Sequence, residues 1–303
     1  MDNALLEFLQ SKVSEEFIFQ NEPLSKHTTF RVGGEADLFV DIDSVEALSE
    51  IIRFCKKTDR NYFILGNGSN LLVSDKGYRG LVIHIGNAFS SVEIKGDEIT
   101  AKAGALLSTV AKMAAKEELT GMEFASGIPG TIGGAMVMNA GAYDGEMKMI
   151  TESVTVMNDE GELMTLNNDS MEFGYRTSAI KNRPFVVVET KLKLSKGNAK
   201  EIQDKMDDFK ERRVSKQPLE YPSAGSTFKR PEGNFAGKLI MDAGLRGFRI
   251  GGAQVSEKHC GFVINNSGAT ASDIHELMLE VTEKVEERFG VTLEPEVIRV
   301  GEF

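Results

Sequence analysis

SGIPGTIGGAMVMNAGAYDG, residues 126–145, is the stretch around which the rest of the chain is organised, and six of its twenty residues are glycine. A segment with so little side-chain volume cannot form a packed core, but it lets the backbone approach a ligand closely. Successive N–H groups in such turns form a concave surface that suits a phosphate. The glycine spacing matches neither the dinucleotide fingerprint G-x-G-x-x-G nor a Walker A loop. By composition alone, a glycine-rich connection between two elements is an equally good interpretation.

A second glycine-containing loop precedes this stretch. Residues 66–70 read GNGSN and lie between the apolar segments YFIL and LLV. Asn-Gly between apolar segments is also typical of a β-hairpin turn. A plain hairpin does not need Asn67, Ser69 and Asn70 together with two glycines. Two such loops in one chain therefore favour a cofactor with a long phosphate-bearing linker.

Length, charge and cysteine content limit the class of protein. The 303 residues are enough for two or three domains with their own cores. A formal net charge of −11 argues against a nucleic-acid partner, which would favour a basic surface. Cys55 and Cys260 lie far apart with no C-x-x-C pattern, which indicates a reducing compartment without a disulfide or zinc site. No signal peptide or membrane-spanning run is recognisable, so we expect a cytoplasmic protein that is not inserted in a membrane.

Hydrophobic periodicity and turn residues predict an α+β chain. Helices are predicted at 4–13, 45–55, 106–116, 198–216, 235–243 and 271–289, and strands at 36–42, 62–65, 153–157, 162–166, 184–194, 261–265 and 291–300. Two helix starts are predicted from capping patterns, one at Asp43 with Glu46 and one at Thr270 with Asp273.

Three further loops hold polar residues at positions where packing does not require them. They are FGYRTS with Tyr175 and Arg176, SAGSTFKRP with Ser226, Lys229 and Arg230, and LEPEVIRVG with Glu294 and Glu296. Lys229 and Arg230 indicate an anion contact in so acidic a chain. The loops also have plainer interpretations, namely a surface arginine, a turn serine and a solvated strand edge.

No residue pattern indicates a catalytic triad or a metal site. We assign no catalytic role to any of the four histidines, which are His27, His84, His259 and His275. There is no H-E-x-x-H and no EF-hand pattern. If the protein is an enzyme, an organic cofactor must supply the difficult chemistry.

Seven segments together resemble the UDP-N-acetylenolpyruvoylglucosamine reductase family, whose members are flavoenzymes of peptidoglycan synthesis. The segments are HTTFRVGG, LGNGSNLLV, SGIPGTIGGAMVMNAGAYDGE, FGYRTS, AGSTFKRP, HCGFVIN and LEPEVIRVG. No single segment is decisive, but they occur in the family's order over nearly the whole chain. The ordered set is therefore highly specific.

The resemblance implies an α+β fold with a two-lobed FAD-binding domain of the vanillyl-alcohol-oxidase (PCMH) type and a C-terminal α+β substrate-binding domain. The expected divisions are lobe 1 at 1–74, lobe 2 at 75–197 and the substrate domain at 198–303. It also implies noncovalent FAD, NADPH as reductant and a UDP-sugar as substrate, in a monomer or weak oligomer. The implied FAD contacts are Gly66, Asn67, Gly68, Ser69, Asn70, Ile128, Pro129, Gly130, Gly133, Gly134, Asn139, Ala140 and Gly141.

The resemblance also implies a two-stage reaction. NADPH passes hydride to the flavin, and the reduced flavin delivers it to the methylene carbon of the enolpyruvyl ether, leaving negative charge beside the carboxylate. Arg176 matches the family's catalytic arginine, Ser226 its proton donor and Glu296 its catalytic glutamate. The expected substrate contacts are Tyr175, Lys229, Arg230 and Gln254.

The chain differs from part of the family in one loop, and two other functions are alternatives to this interpretation. The segment after Arg176 leaves no room for the inserted tyrosine loop of the family's longer class, so the chain resembles the shorter class. Another FAD-linked oxidoreductase of the same fold, acting on an alcohol or sugar, would not need Arg176, Ser226 and Glu296 together. A nucleotide-sugar-binding protein without turnover would show no flavin absorbance.

Overall fold

The computed structural model describes residues 3–303, which contain both helices and strands. The seven α-helices of this range are α1 Asn3–Gln10, α2 Val45–Lys57, α3 Leu107–Lys116, α4 Ile132–Met138, α5 Ala199–Lys216, α6 Ala236–Asp242 and α7 Ala271–Phe289. Its strands are β1 Ile18–Pro23, β2 Glu35–Asp41, β3 Tyr62–Leu65, β4 Leu71–Val73, β5 Tyr78–His84, β6 Val92–Lys95, β7 Glu98–Lys102, β8 Leu119–Thr120, β9 Gly141–Ala142, β10 Gly145–Glu146, β11 Thr151–Met157, β12 Leu163–Asn167, β13 Val186–Lys193, β14 Ser195–Lys196, β15 Arg249–Ile250, β16 Ala253–Val255, β17 Val263–Asn265 and β18 Ile298–Val300.

The order of strands within the larger sheets departs from their order along the chain. One sheet has the order β1-β2-β5-β3, a second β12-β11-β13-β7-β6 and a third β15-β16-β17. Neighbours in the five-stranded sheet are antiparallel, whereas β3 pairs in parallel with β5. Two-stranded pairs join β9 to β10, β8 to β14 and β4 to β18. The predicted α+β composition is thus confirmed.

Several locally determined elements match their predictions. The polar helix α5 places Ile202, Met206 and Phe209 in the core, at the spacing of one helical face. The capping box of Thr270 and Asp273 begins α7, with both reciprocal hydrogen bonds present. The strands predicted at 153–157 and 162–166 are present as β11 and β12, which pair antiparallel.

Two local predictions were wrong in detail. The N-cap of α2 is Ser44 and not Asp43, because the Ser44 Oγ accepts the Ala47 N–H at 3.3 Å. Ser44 has the extended backbone that an N-cap requires and directly precedes the first helical residue. At the C-terminus only Ile298–Val300 form a strand, preceded by an isolated bridge between Phe228 and Pro295.

The chain divides into two compact units, each built from three separated segments. Unit 1 comprises residues 3–20, 38–67 and 80–212, and unit 2 comprises 21–37, 68–79 and 213–303. The division into parts at 1–74, 75–197 and 198–303 stays a prediction. Within the described range, no helix combines the length and the apolar character needed to cross a membrane.

Unit 1 has a core between helices and the five-stranded sheet. Helix α4 packs against β13 and β7 of that sheet. The buried side chains come from many elements and include Ile51, Ile99, Val110 and Val154. The glycine-rich stretch is therefore anchored on a rigid sheet, although it contributes little volume of its own.

Unit 2 has a separate core in which α7 packs against α6 and the three-stranded sheet. Phe30 and Leu72 belong to this core together with Ile274 and Val281. Two short N-terminal segments thereby become part of a unit that is mostly C-terminal in sequence. Periodicity did not predict this arrangement, because it reports a buried face without naming the element that covers it.

Candidate functional site

In unit 1 the beginning of the GNGSN loop lies against the glycine-rich stretch. The Asn67 side-chain amide donates to the Pro129 carbonyl at 2.5 Å. A Cβ added at Gly66 would lie 2.7 Å from the Thr131 Oγ1, so only glycine fits there. Asn67 and Pro129 are both exposed at this junction. The two loops that the sequence singled out thus contact each other at Gly66 and Asn67.

The structure also shows why a hairpin is the wrong interpretation of GNGSN. Strand β3 before the loop pairs with β5, and strand β4 after it pairs with β18. The two flanking strands therefore do not pair with each other. The boundary between the two units falls inside the loop, after Asn67.

The first N–H groups of α4 are occupied by protein acceptors. Ile132 donates to the Ala105 carbonyl and Gly133 to the Ala103 carbonyl, each at 2.8 Å. Gly134 donates to the Oγ1 of the N-cap Thr131 at 3.3 Å. A Cβ at Gly133 would lie 3.1 Å from that of Ala103, so its missing side chain serves packing. The FAD contacts assigned to Gly133 and Gly134 stay predictions, and they would not use these two N–H groups.

The end of α4 is tied to the FGYRTS turn by Asn139. Its backbone is left-handed, with φ 43° and ψ 57°, and its side chain is 1% exposed. The side-chain Nδ2 donates to the Gly174 carbonyl at 3.1 Å, while Oδ1 accepts the Lys148 N–H at 2.9 Å. Both ends of this amide therefore bind protein. Two neighbours, Ala140 and Gly141, continue the chain into the tight β9–β10 hairpin.

The FGYRTS turn presents Arg176 from a strained backbone position. Gly174 and Thr177 form an isolated antiparallel bridge, and Arg176 inside it has φ 55°. A side chain in the left-handed region costs about 1–2 kcal/mol, so the surrounding bonds must hold the turn. The Arg176 Nη2 donates to the Gly141 carbonyl at 3.3 Å, and the guanidinium lies 5.0 Å from the centre of the Tyr175 ring. Tyr175 is exposed, which suits a ligand contact.

In unit 2 the rest of the GNGSN loop packs against the HTTFRVGG segment. A Cβ at Gly68 would lie 2.0 Å from the His27 carbonyl oxygen, and Gly68 has φ 57°. The Gly68 carbonyl accepts the Thr29 N–H at 3.3 Å. Glycine at this position is thus required by packing against protein. Ser69 and Asn70 are half-buried next to it.

The segments of Ser226 and Glu296 run side by side in unit 2. Thr227 is fully buried, and its carbonyl accepts the Glu296 N–H at 2.9 Å. The Thr227 Oγ1 accepts the Val263 N–H at 2.8 Å, and its N–H donates to the Gly261 carbonyl at 2.9 Å. Ser226 itself is exposed and follows Gly225, which has φ 76°. Thr227 was not singled out from sequence, yet it joins the AGSTFKRP, HCGFVIN and LEPEVIRVG segments.

The three remaining predicted substrate contacts in unit 2 differ in exposure. Lys229 forms an ion pair with Glu294, and its N–H donates to the Glu294 carbonyl at 2.8 Å. Arg230 is exposed and lies 4.0 Å from the centre of the exposed Phe235 ring. Gln254 is only 4% exposed, and its Nε2 donates to the Gly247 carbonyl at 3.3 Å. Arg230 thus presents an exposed guanidinium, whereas the Gln254 amide is buried and bound to a backbone carbonyl of the same unit.

The residues at the loop junction fit a dinucleotide-like cofactor such as FAD. The Gly66–Thr131 contact leaves room only for backbone, and Asn67, Gly127, Pro129 and Gly134 are exposed in these two loops. A surface of exposed glycine and amide groups suits a phosphate-bearing linker. None of the described residues forms a cluster of three or more metal-ligating side chains.

Two models of known protein domains match parts of this chain. The model of an FAD-binding domain matches residues 36–167, and the model of the UDP-N-acetylenolpyruvoylglucosamine reductase C-terminal domain matches 217–300. The grass pollen allergen Phl p 4, which has glucose dehydrogenase activity, shares only the fold, with 13% identity and a TM-score of 0.50 over 64% of this chain and 44% of that one. The chain is thus a flavoprotein with an FAD-binding domain of the vanillyl-alcohol-oxidase type.

Full-length relatives give the family. UDP-N-acetylenolpyruvoylglucosamine reductase of Lachnoclostridium phytofermentans is 50% identical over 100% of this chain and 99% of that protein. The crystal structure of the corresponding reductase from Thermus caldophilus matches with a TM-score of 0.81 and 35% identity, covering 94% of this chain and 100% of that one. The chain belongs to the UDP-N-acetylenolpyruvoylglucosamine reductase family.

Proposed function

We propose that this chain reduces the enolpyruvyl ether of UDP-N-acetylglucosamine enolpyruvate to UDP-N-acetylmuramate, with NADPH as reductant and noncovalent FAD as cofactor. Family membership over the full length supports this reaction. The structural observation that carries it is the hydrogen bond from the Glu296 N–H to the Thr227 carbonyl. This bond joins the main chains next to Ser226 and at Glu296, which supports assigning both residues to one substrate site.

FAD, when bound, takes hydride from NADPH and supplies it to the methylene carbon of the enolpyruvyl group. Asn67 and the exposed part of residues 127–134 would hold it. The protein then has to manage the negative charge that arises on the carbon next to the carboxylate. A preorganised cation lowers the cost of that charge, and the planar guanidinium of Arg176 suits a carboxylate.

The second task is protonation of that carbon. Ser226 is exposed, so its hydroxyl is accessible to a ligand. A serine hydroxyl is a weak acid, so it serves only against a strongly basic carbon. We assign Ser226 as the donor of this proton and Glu296 to polarising the developing charge. In the balanced reaction one hydride and one proton add across the double bond, and NADPH becomes NADP⁺.

Contacts with the substrate's diphosphate and sugar would come from Tyr175, Lys229 and Arg230. Arg230 is the strongest candidate for the diphosphate, because it is exposed and its guanidinium stacks on Phe235. Guanidinium groups bind phosphate oxygens through two parallel hydrogen bonds. Gln254 would act indirectly, since its amide is buried in β16.

The cellular setting follows from the reaction. The product is a peptidoglycan precursor, so we place the protein in cell wall synthesis, with consequences for cell shape and division. Both cysteines, Cys55 and Cys260, are free and buried, as in proteins of the reducing cytoplasm. We propose a cytoplasmic monomer or weak oligomer.

An anaerobic stopped-flow experiment tests the proposal by separating the two half-reactions. NADPH should bleach the flavin absorbance, and UDP-N-acetylglucosamine enolpyruvate should restore it without oxygen. Bleaching without restoration would exclude this substrate and favour another flavoenzyme of the fold. Binding of the UDP-sugar without any flavin would favour a binding protein.

A further inference from the structure

The glycine-rich stretch and the FGYRTS turn are joined by three hydrogen bonds at alternate residues. The Ser178 Oγ donates to the Val137 carbonyl at 3.0 Å. The Asn139 Nδ2 donates to the Gly174 carbonyl at 3.1 Å, and the Arg176 Nη2 donates to the Gly141 carbonyl at 3.3 Å. All of these groups belong to unit 1. The turn that presents Arg176 is thus held by the end of α4 and by the segment that follows it.

Asn139 makes the bond that acts directly on the turn's backbone. The Gly174 carbonyl also accepts the Thr177 N–H, at 3.4 Å, in the bridge that encloses Arg176. This bond is long for an N–H···O contact, whereas the other bond of the bridge, from the Gly174 N–H to the Thr177 carbonyl, has an ordinary length of 3.1 Å. The Gly174 carbonyl is therefore the group of the bridge that the turn itself binds less well. Asn139 reinforces it from a side chain that is 1% exposed. Hydrogen bonds of buried groups are costly to lose, because the partner is left unsatisfied.

The conformation of Asn139 fits this task. Its left-handed backbone at the end of α4 turns the chain, and asparagine tolerates that region better than most residues. Its Oδ1 accepts the Lys148 N–H at 2.9 Å, which fixes the amide plane and aims Nδ2 at Gly174. The bond at Oδ1 therefore orients the amide, and the bond at Nδ2 holds the turn.

We propose that Asn139 is a positioning residue for Arg176 and that its side chain acts on the substrate half-reaction, not on flavin binding. This inference rests on the proposed function. Resemblance assigned Asn139 to the cofactor, but its amide oxygen and nitrogen are both bound to protein. Loss of the Asn139 bond would leave the Gly174 carbonyl with only the long bond from Thr177, in a turn where Arg176 has a strained backbone. A misplacement of about 1 Å can reduce a rate about 100-fold.

Asn139→Asp is the first test variant. It keeps the acceptor for the Lys148 N–H and the left-handed backbone, but replaces the donor to Gly174 with an oxygen. We expect the substrate-dependent return of flavin absorbance to slow about 10- to 100-fold, with NADPH-dependent bleaching and flavin content unchanged. Because a buried charge can impair folding, Asn139→Gly is the second variant. It removes both bonds without backbone strain.

Asn168→Ala is the matched control. The Asn168 Nδ2 donates to the Lys148 and Thr151 carbonyls at 2.8 and 2.6 Å. Asn168 is therefore a second asparagine whose side chain binds the main chain near Lys148. Neither of these two hydrogen bonds involves the FGYRTS turn. We expect both half-reactions of Asn168→Ala to match those of the unaltered protein.

A double-mutant cycle with Arg176→Ala separates positioning from general loss of structure. If Asn139 acts through Arg176, adding Asn139→Asp to Arg176→Ala should slow the substrate step by less than twofold further. Independent losses that multiply would overturn the inference. So would loss of flavin in both Asn139 variants, or equal slowing of the two half-reactions. Failure of the unaltered protein to be reoxidised by the enolpyruvyl substrate would instead refute the proposed function.

Discussion

The side-chain amide of Asn70 donates a hydrogen bond to the main-chain carbonyl of Glu296 at 3.0 Å. The Asn70 carbonyl in turn accepts the Ile298 N–H at 2.9 Å, where β18 begins its parallel pairing with β4. A residue of the GNGSN loop therefore binds the segment of the candidate catalytic glutamate, 226 positions away. Since both contacts use backbone groups of the C-terminal segment, they set its register on the loop.

The first prediction concerns the cofactor. Purified protein should be yellow, and the flavin should enter the supernatant when the protein is denatured, because no covalent tether is expected. Absorbance of the supernatant and of the precipitate measures this. Colourless protein that stays colourless after incubation with FAD would refute the flavin assignment. Colour retained in the precipitate would instead show a covalent link.

The second prediction concerns Ser226. Ser226→Ala should leave NADPH-dependent bleaching nearly intact while the enolpyruvyl substrate fails to restore the absorbance, since the proton donor is missing. Stopped-flow measurement of the two half-reactions checks this. Ser223→Ala, three residues earlier in the same loop, is the control and should behave like the unaltered protein. Equal slowing of both half-reactions would make Ser226 a binding or folding residue.

The third prediction concerns Arg176. Arg176→Lys keeps the positive charge but loses the planar pair of donors, so the substrate step should slow about 10- to 100-fold. Arg183→Lys is a suitable control, because Arg183 forms an exposed ion pair with Glu172 next to the same turn. An Arg176→Lys enzyme with an unchanged substrate step would mean that charge alone suffices.

The fourth prediction compares two glycines with similar backbones. Gly68 has φ 57° and would place a Cβ 2.0 Å from the His27 carbonyl oxygen, whereas Gly96 has φ 66° and no atom within 4 Å. Gly96→Ala should cost about 1–2 kcal/mol in the free energy of unfolding, from backbone strain alone. Gly68→Ala should cost about 3 kcal/mol or more, because overpacking adds to strain. Urea denaturation measures both, and equal losses would contradict the packing argument.

The fifth prediction concerns pH and Glu123. Burial alone would raise the pKa of this carboxyl, but hydrogen bonds from the Thr120 hydroxyl and the Gly121 N–H, with the nearby Lys205 ammonium, lower it below its usual value. A lowered pKa in the folded state means that the ionised form is the stabilising one. Its contribution is complete above the ordinary glutamate pKa of about 4.3 and is lost as the pH falls through the folded value.

Glu123→Gln tests this dependence. The variant should be less stable at neutral pH by about 1–3 kcal/mol, because buried hydrogen bonds are weakened, and its stability should fall less on acidification. Urea denaturation from neutral pH to below about pH 4 compares the two proteins. Parallel pH profiles would show that Glu123 does not contribute to the acid sensitivity.

Sequence reasoning worked best where the determining contacts are local. The core face of α5 and the capping box of α7 depend on residues three or four positions apart, so the pattern contains the answer. It failed by one residue at Ser44, because two adjacent polar residues are both acceptable N-caps and only the backbone path selects one. The motif resemblance, not periodicity, supplied the family and its candidate residues.

The sequence by itself determined the kind of elements, the family and the positions where side chains are excluded. Only the tertiary structure decided what excludes them: the Thr131 hydroxyl at Gly66, a carbonyl of the HTTFRVGG segment at Gly68, and Ala103 at Gly133. It also decided that the Asn139 amide binds protein at both ends. The physical reason is that a glycine or an asparagine indicates a local need for space or for a hydrogen bond. The atom that contacts it is far away in sequence and is brought there by tertiary packing.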